Sequence, residues 1–292
     1  MTNSESSFSS EADGLTIATY SWGAASTDPK GVVQIAHGIA EHAARYARLA
    51  EALNAAGYLV YASDHRGHGT SISEDVPLGS FGEAGWPALV ADVAAFGMSI
   101  AAEHPGLPLF LLGHSMGSFA SQEVILDHSA QYAGLVLSGS TALDVMAAGL
   151  AESGAAGSGD LSFLNAGFEN RTGYEWLSRD EAEVDTYVAD PLSGFALAPE
   201  SVPAIFGSAE RLADPGALVH IRPDLPILIV SGDADPLSGG GNLVTLLAQR
   251  YSGAGIHDVT LKLYPGARHE IFNETNRDEI TAYVAGWLEK RS

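Results

Sequence analysis

The sequence predicts an α/β fold, a mostly parallel sheet with helices packed on both faces. Short runs that are apolar at successive positions recur along the chain, as strands covered on both sides require. Between them lie longer stretches with apolar residues at helical spacing, and such alternation builds parallel sheets through right-handed crossovers. The rhythm breaks once, for roughly 80 residues, where connections inside a compact domain are normally short.

In chain order, the strand-like runs are residues 15–20, 32–36, 58–62, 107–112, 134–137, 226–230 and 259–264. Residues 43–56 set Tyr46, Leu49 and Leu53 on one face, and residues 86–102 do the same with Leu89, Val93, Phe96 and Ile100. Both are expected as amphipathic helices. A further helical pattern runs through Ala120, Val124 and Leu126. The interruption opens with an apolar segment at 143–150, passes a flexible stretch at 153–160, and continues with helical patterns at 174–188 and 199–213. The economical organisation is a core of residues 1–142 and 225–292, with residues 143–224 inserted as a helical cap. The glycines between 154 and 159 are expected in a mobile loop rather than a ligand cradle.

Of 292 residues, 46% are apolar and 17% charged, which supplies a packed core and excludes intrinsic disorder. Acidic residues outnumber basic ones by 36 to 14, for a formal charge of −22. Such a surface repels phosphate backbones and anionic headgroups, so a nucleic-acid partner is excluded. Lysines are confined to Lys30, Lys262 and Lys290, a scarcity that suits a strongly solvated surface and is one expected outcome of salt adaptation. The absence of cysteine removes disulfides, thiolate metal sites and a Cys nucleophile together. The polar N-terminus lacks the basic start and apolar stretch of a signal peptide, and uninterrupted apolar runs fall short of a membrane span. A soluble cytoplasmic protein without stable membrane insertion is expected, and a homodimer is compatible with that expectation.

The strongest local signal is Gly113-His114-Ser115-Met116-Gly117, directly after the run at 107–112 and before a helical pattern. Strand, sharp turn and helix is the context in which G-x-S-x-G presents a nucleophile. The glycines admit close approach of strand and helix, and the serine backbone lies at a helix N-terminus that favours developing negative charge. A serine at its normal pKa needs a base, and the base needs an orienting acid. With the chain order Ser, acid, His, four histidines qualify: His128, His220, His257 and His269. His269 follows the strand at 259–264, at the sheet edge where open α/β folds bind ligands, and is the choice. For the acid, Asp233 and Asp235 both follow the strand at 226–230, and spacing does not separate them. One would orient the base while the other caps a turn or helix. The Gly38 turn after residues 32–36 offers backbone donors for an oxyanion, and the N–H groups of Ile39 and Met116 are the candidates. Asp64-His65-Arg66-Gly67-His68-Gly69 reads as a structural turn. Neither its histidines nor the Asp233/Asp235 pair has a third ligand at metal spacing, and no metal or cofactor is expected.

Taken together, these pieces resemble the monoacylglycerol lipase and lysophospholipase group of α/β-hydrolases, within the serine-aminopeptidase-like superfamily. The matching residues are His37-Gly38-Ile39-Ala40-Glu41-His42 with Arg45-Tyr46, Asp64 to Ser71, the elbow at Ser115, Gly232 to Pro236, and Tyr264-Pro265-Gly266-Ala267-Arg268-His269-Glu270. They run in order across nearly the whole chain. The resemblance implies an α/β-hydrolase fold with its helical cap between the sixth and seventh strands, and it assigns the acid to Asp235. One departure is Ala40, where these lipases often carry glycine.

The function expected is serine-dependent hydrolysis of small-molecule carboxylic monoesters through an acyl-enzyme, by Ser115, His269 and Asp235. His42, His114, Phe163, Phe168, Trp176 and Phe206 are the expected substrate contacts. Lysophospholipids and monoalkyl phthalates are alternative monoesters, the latter requiring His42 or Arg268 to meet a free carboxylate. An aminopeptidase would need a cap carboxylate for a substrate ammonium, with Glu169, Glu175 and Asp180 as candidates. A binding protein that keeps the fold without turnover has no need of all three catalytic residues.

Overall fold

The computed structural model describes residues 3–23, 28–153 and 161–292. The glycine stretch at 154–159, expected as a mobile loop, lies outside the described residues. Eight strands form one sheet: β1 (Asn3–Ser9), β2 (Thr16–Trp22), β3 (Gly31–Ala36), β4 (Tyr58–Ser63), β5 (Leu109–His114), β6 (Gly134–Ser138), β7 (Ile227–Gly232) and β8 (Val259–Tyr264). Their order is β1-β2-β4-β3-β5-β6-β7-β8. The β1–β2 and β2–β4 pairs are antiparallel, and from β4 onward every pair is parallel.

Strand periodicity divides the core into two layers. In β5, Leu109 and Leu111 join one buried cluster while Phe110 and Leu112 join the other; Ile227 and Ile229 against Leu228 and Val230 repeat the division in β7. Successive side chains point to opposite faces, so a strand buried on both sides must be apolar throughout. Helices α1 (Ala47–Ala55), α2 (Gly85–Glu103) and α3 (Met116–His128) follow β3, β4 and β5. Helices α9 (Asn242–Gly253) and α10 (Arg277–Glu289) follow β7 and β8. Leu89, Val93, Phe96 and Ile100 of α2 enter the first cluster, and Leu49 and Leu53 of α1 enter the second. By length and hydropathy α2 alone among the described helices could cross a membrane, but half of its apolar window is buried within the protein, as befits a core helix.

Between β6 and β7 lie α4 (Leu143–Ser153), α5 (Glu181–Ala189), α6 (Ser201–Phe206), α7 (Ala209–Ala213) and α8 (Pro215–Leu218). Two helical expectations are corrected here. Only the second half of 174–188 is helical, beginning after Asp180, whose carboxylate caps Ala182 N–H. The first half is an irregular turn, closed by Leu177 N–H to Tyr174 O and held by tertiary bonds: Trp176 N–H donates to Asn165, while the carbonyls of Trp176 and Leu177 accept from His269 and Glu270. The 199–213 pattern is two short helices with a break at Gly207 and Ser208. The polar N-terminus, outside the strand-like runs of the sequence, forms edge strand β1. Serine and glutamate carry little strand propensity, but the register sets Phe8 opposite Ile17, and Phe8 stacks on Phe96 at 5.7 Å. A polar, charge-bearing edge of this kind discourages pairing with other chains.

Candidate active site

Ser115 sits between β5 and α3 with φ 51° and ψ −122°, a left-handed conformation that costs a non-glycine residue strain. The flanking glycines make that turn sterically feasible. A Cβ on Gly117 would lie 2.1 Å from Ala36 O, and one on Gly113 would lie 2.4 Å from Ser121 Oγ. Ser115 N–H donates to Ser138 O at 2.9 Å, tying the elbow to β6. As the first residue of α3, Met116 has a backbone N–H with no acceptor in its own helix.

His269 arrives on the loop after β8 and Asp235 on the loop after β7. Both are buried, and His269 Nδ1–H donates to Asp235 Oδ2 at 3.0 Å. The other Asp235 oxygen accepts Leu237 N–H at 2.9 Å, so one carboxylate both orients the imidazole and caps the following turn. Asp233 instead accepts Gly266 N–H at 2.7 Å in an exposed position. The two aspartates divide as spacing allowed, Asp235 toward the base and Asp233 onto the turn at Gly266, with Asp235 adding a cap of its own. Burial works against a charged His269, but the charges of Asp235, Glu270 and Glu41 and the Asp235 hydrogen bond overcome it and hold the imidazole above its ordinary pKa. The ring of His114 packs 4.7 Å from that of His269, and Gly139 makes room for both, since a Cβ there would meet each at 2.8 Å.

The oxyanion turn is braced from behind. The Glu41 carboxylate accepts Gly38 N–H at 2.5 Å and Tyr46 OH at 2.8 Å. Arg45 bridges Glu41 to Glu270, which it meets with two bonds of 2.7 and 2.8 Å. Burial opposes the ionised Glu270, but Arg45 outweighs it and holds that carboxyl near 2. This Glu41–Arg45–Glu270 chain links the turn carrying Ile39 to the loop carrying His269. In the sequence all three residues fall within the segments that carry the resemblance, and Glu41 and Arg45 are also spaced i,i+4. Among the described residues, Ile39 N–H has no protein acceptor.

The expected substrate contacts are placed unevenly. Trp176 is buried with its ring 4.8 Å from that of His269, and its indole nitrogen has no hydrogen-bond partner among the described residues. Phe163 and Phe206 pack against the core cluster, and Phe168 lies under the Arg268 guanidinium at 4.7 Å. Two placements are corrections. His42 Nε2 is bonded to Asp190 Oδ2 at 2.7 Å, and Arg268 donates to the carbonyls of Glu175 and Ser178. Both side chains are committed to the cap rather than free for a substrate carboxylate. The ammonium anchors of an aminopeptidase fare similarly. Glu175 accepts from Thr172, Gly173 and Asn165, Asp180 pairs with Arg277, and Glu169 is exposed.

The turn around Asp64 is structural. Its carboxylate accepts from Ala43 N, Thr70 N and Tyr20 OH, and buried Arg66 pairs with Asp13 and Asp92. His37, His65 and His68 pack together, with the His37 and His65 rings 4.2 Å apart. His37 Nε2 accepts His65 N–H, so its own proton is on Nδ1, facing Gly38 O. Burial, reinforced by neighbouring histidines, pushes His65 down to about 3 and lowers His37 well below its ordinary value. Burial likewise lowers His68 to about 4, and burial with His269 lowers His114 to about 3. The unfolded chain binds these protons near pH 6.5 and the folded chain does not until far lower. Their contribution is therefore complete above pH 6.5 and is lost as pH falls from there toward 4. His269, with its raised pKa, has the opposite sign and offsets part of the loss. At pH 5 each depressed histidine costs on the order of 2 kcal/mol. Urea unfolding at pH 7 and pH 5 should show a stability drop of several kcal/mol; equal midpoints would rule out neutral burial of these histidines.

Comparison with known proteins places this geometry in context. The family model described as "Serine aminopeptidase, S33" matches residues 27–276. A monoacylglycerol lipase of Mycolicibacterium smegmatis is 36% identical over 295 residues, covering 98% of this chain and 97% of its own. The human monoglyceride lipase is 33% identical over 300 residues, covering 96% and 89%. Among solved structures, a thermostable carboxyl esterase from Bacillus coagulans in complex with glycerol superposes with a TM-score of 0.86 at 28% identity, covering 100% of this chain and 99% of that one.

Proposed function

The chain belongs to the serine aminopeptidase S33 family of α/β-hydrolases, and from that premise we propose that Ser115, His269 and Asp235 cleave monoacylglycerol-type monoesters through an acyl-enzyme. The protein is a serine hydrolase acting on carboxylic ester bonds. The observation that carries the residue assignment is the buried Asp235–His269 pair at 3.0 Å, on the loops beside the strained Ser115.

In this reading His269 Nε2 takes the Ser115 hydroxyl proton as Oγ attacks the ester carbon. Asp235 keeps the proton on Nδ1 and stabilises the imidazolium. The N–H groups of Ile39 and Met116 receive the oxyanion, which is where the largest share of barrier lowering arises. His269 then protonates the departing alcohol, and water repeats the sequence to release the acid.

Glycerol monoesters are neutral and suit a protein of charge −22. Phthalate monoesters are anionic and find His42 and Arg268 already engaged. Aminoacyl substrates find Glu175 and Asp180 engaged as well. The test is a kcat/KM panel of monoacylglycerols, short p-nitrophenyl esters, lysophospholipids, phthalate monoesters, triacylglycerols and aminoacyl-anilides. Monoacylglycerols and short esters should lead. Preference for aminoacyl-anilides would overturn the esterase reading, and rapid triacylglycerol cleavage would argue against a cap that admits one acyl chain.

A further inference from the structure

Two non-glycine residues among those described have positive φ, Ser115 at 51° and Ala40 at 53°. The strain at Ser115 is explained by the nucleophile turn. Ala40 follows the proposed oxyanion donor Ile39 and is also buried. An alanine in the left-handed region relaxes toward right-handed or extended backbone unless its surroundings forbid that. The cap supplies the restraint. Ala40 O accepts Tyr187 OH at 2.9 Å and Gly194 N–H at 2.9 Å, and the neighbouring His42 is held by Asp190 at 2.7 Å. All three partners come from the cap segment 187–194.

We propose that Tyr187 is a positioning residue for catalysis: its buried hydroxyl, from the cap, holds Ala40 left-handed and so keeps Ile39 N–H aimed at the oxyanion. The proposal rests on Ile39 as an oxyanion donor. The Tyr187 ring is fixed independently of its hydroxyl, packed at a tilt against Tyr174 at 5.1 Å and under Arg45 at 4.8 Å. Tyr187→Phe therefore removes one hydrogen bond and leaves the packing in place. The Glu41–Arg45–Glu270 chain restrains the turn at Gly38, one residue before Ile39, and the cap restrains it one residue after.

The test is a double-mutant cycle on ester turnover. Tyr187→Phe should lower kcat about fivefold or more with KM within twofold of wild type, because an oxyanion donor acts on the transition state rather than on bound substrate. In an Ala40→Gly background the left-handed conformation costs little, so there Tyr187→Phe should lower kcat less than twofold. An unchanged kcat in Tyr187→Phe, or the same fold-loss in both backgrounds, would overturn the brace. A fall in melting temperature without a fall in kcat would make Tyr187 structural only and would also overturn it. Intact mass after a serine-directed fluorophosphonate separates this from failure of the underlying reading. Absence of an adduct at Ser115 in the wild type sinks the hydrolase assignment itself, whereas equal labelling and equal kcat in wild type and Tyr187→Phe sinks the brace alone.

Discussion

Ser115→Ala is expected to lower ester turnover by about 10⁴-fold or more while the protein stays folded. The backbone at 115 carries the strain, and an alanine tolerates that φ as well as a serine does. The side chain is small, and what leaves with it is the attacking oxygen. Circular dichroism and a melting curve matching wild type, with kcat reduced to near background after removal of contaminating esterases, is the expected pair of results. Activity close to wild type would take the nucleophile away from Ser115.

The second large effect separates two neighbouring aspartates. Asp235→Asn should reduce kcat by roughly 10³- to 10⁴-fold. With an amide facing Nδ1, the histidine is pushed to the tautomer carrying its proton on Nε2, where it cannot accept from serine. Asp233→Asn keeps an oxygen for Gly266 N–H in a solvent-exposed turn, so turnover should stay within a few-fold of wild type. Matched kinetics of the two variants decide the matter, and the reverse ranking would move the acid to Asp233.

Where burial dictates residue type, the sequence was legible. Strands β3, β5 and β7 are apolar on both faces because helices cover both, and the periodicity of α2 follows from its packed face. The serine elbow was legible for a steric reason, since few contexts other than a tight strand-to-helix turn need glycine two residues either side of a serine. Illegibility begins where tertiary contacts override local preference. The segment around Trp176 has helical spacing but is held as an irregular turn, its carbonyls bonded to His269 and Glu270, contacts that lie more than 90 residues away. β1 has no strand-like composition because an edge facing water needs none. Asp233 and Asp235 occupy one loop and spacing leaves them equal; the resemblance picks Asp235, and burial with the His269 bond separates the two in the structure. Tyr187 carries no motif at all, because its role depends on the fold bringing α5 over the Gly38 turn.

The cap's grip on both loops has a thermal consequence. Helices α6, α7 and α8 span six, five and four residues, too short to persist without docking. Their buried residues, Ile205, Ala209, Leu212 and Leu218, join the apolar layer on one face of the sheet, so these helices are held through that layer, whereas the central strands are packed on both faces. Since the cap touches the loops of the base and of the oxyanion turn, its release disarms the enzyme before the strands separate. The ceiling on working temperature is then set by the least cohesive part of the molecule rather than by its core.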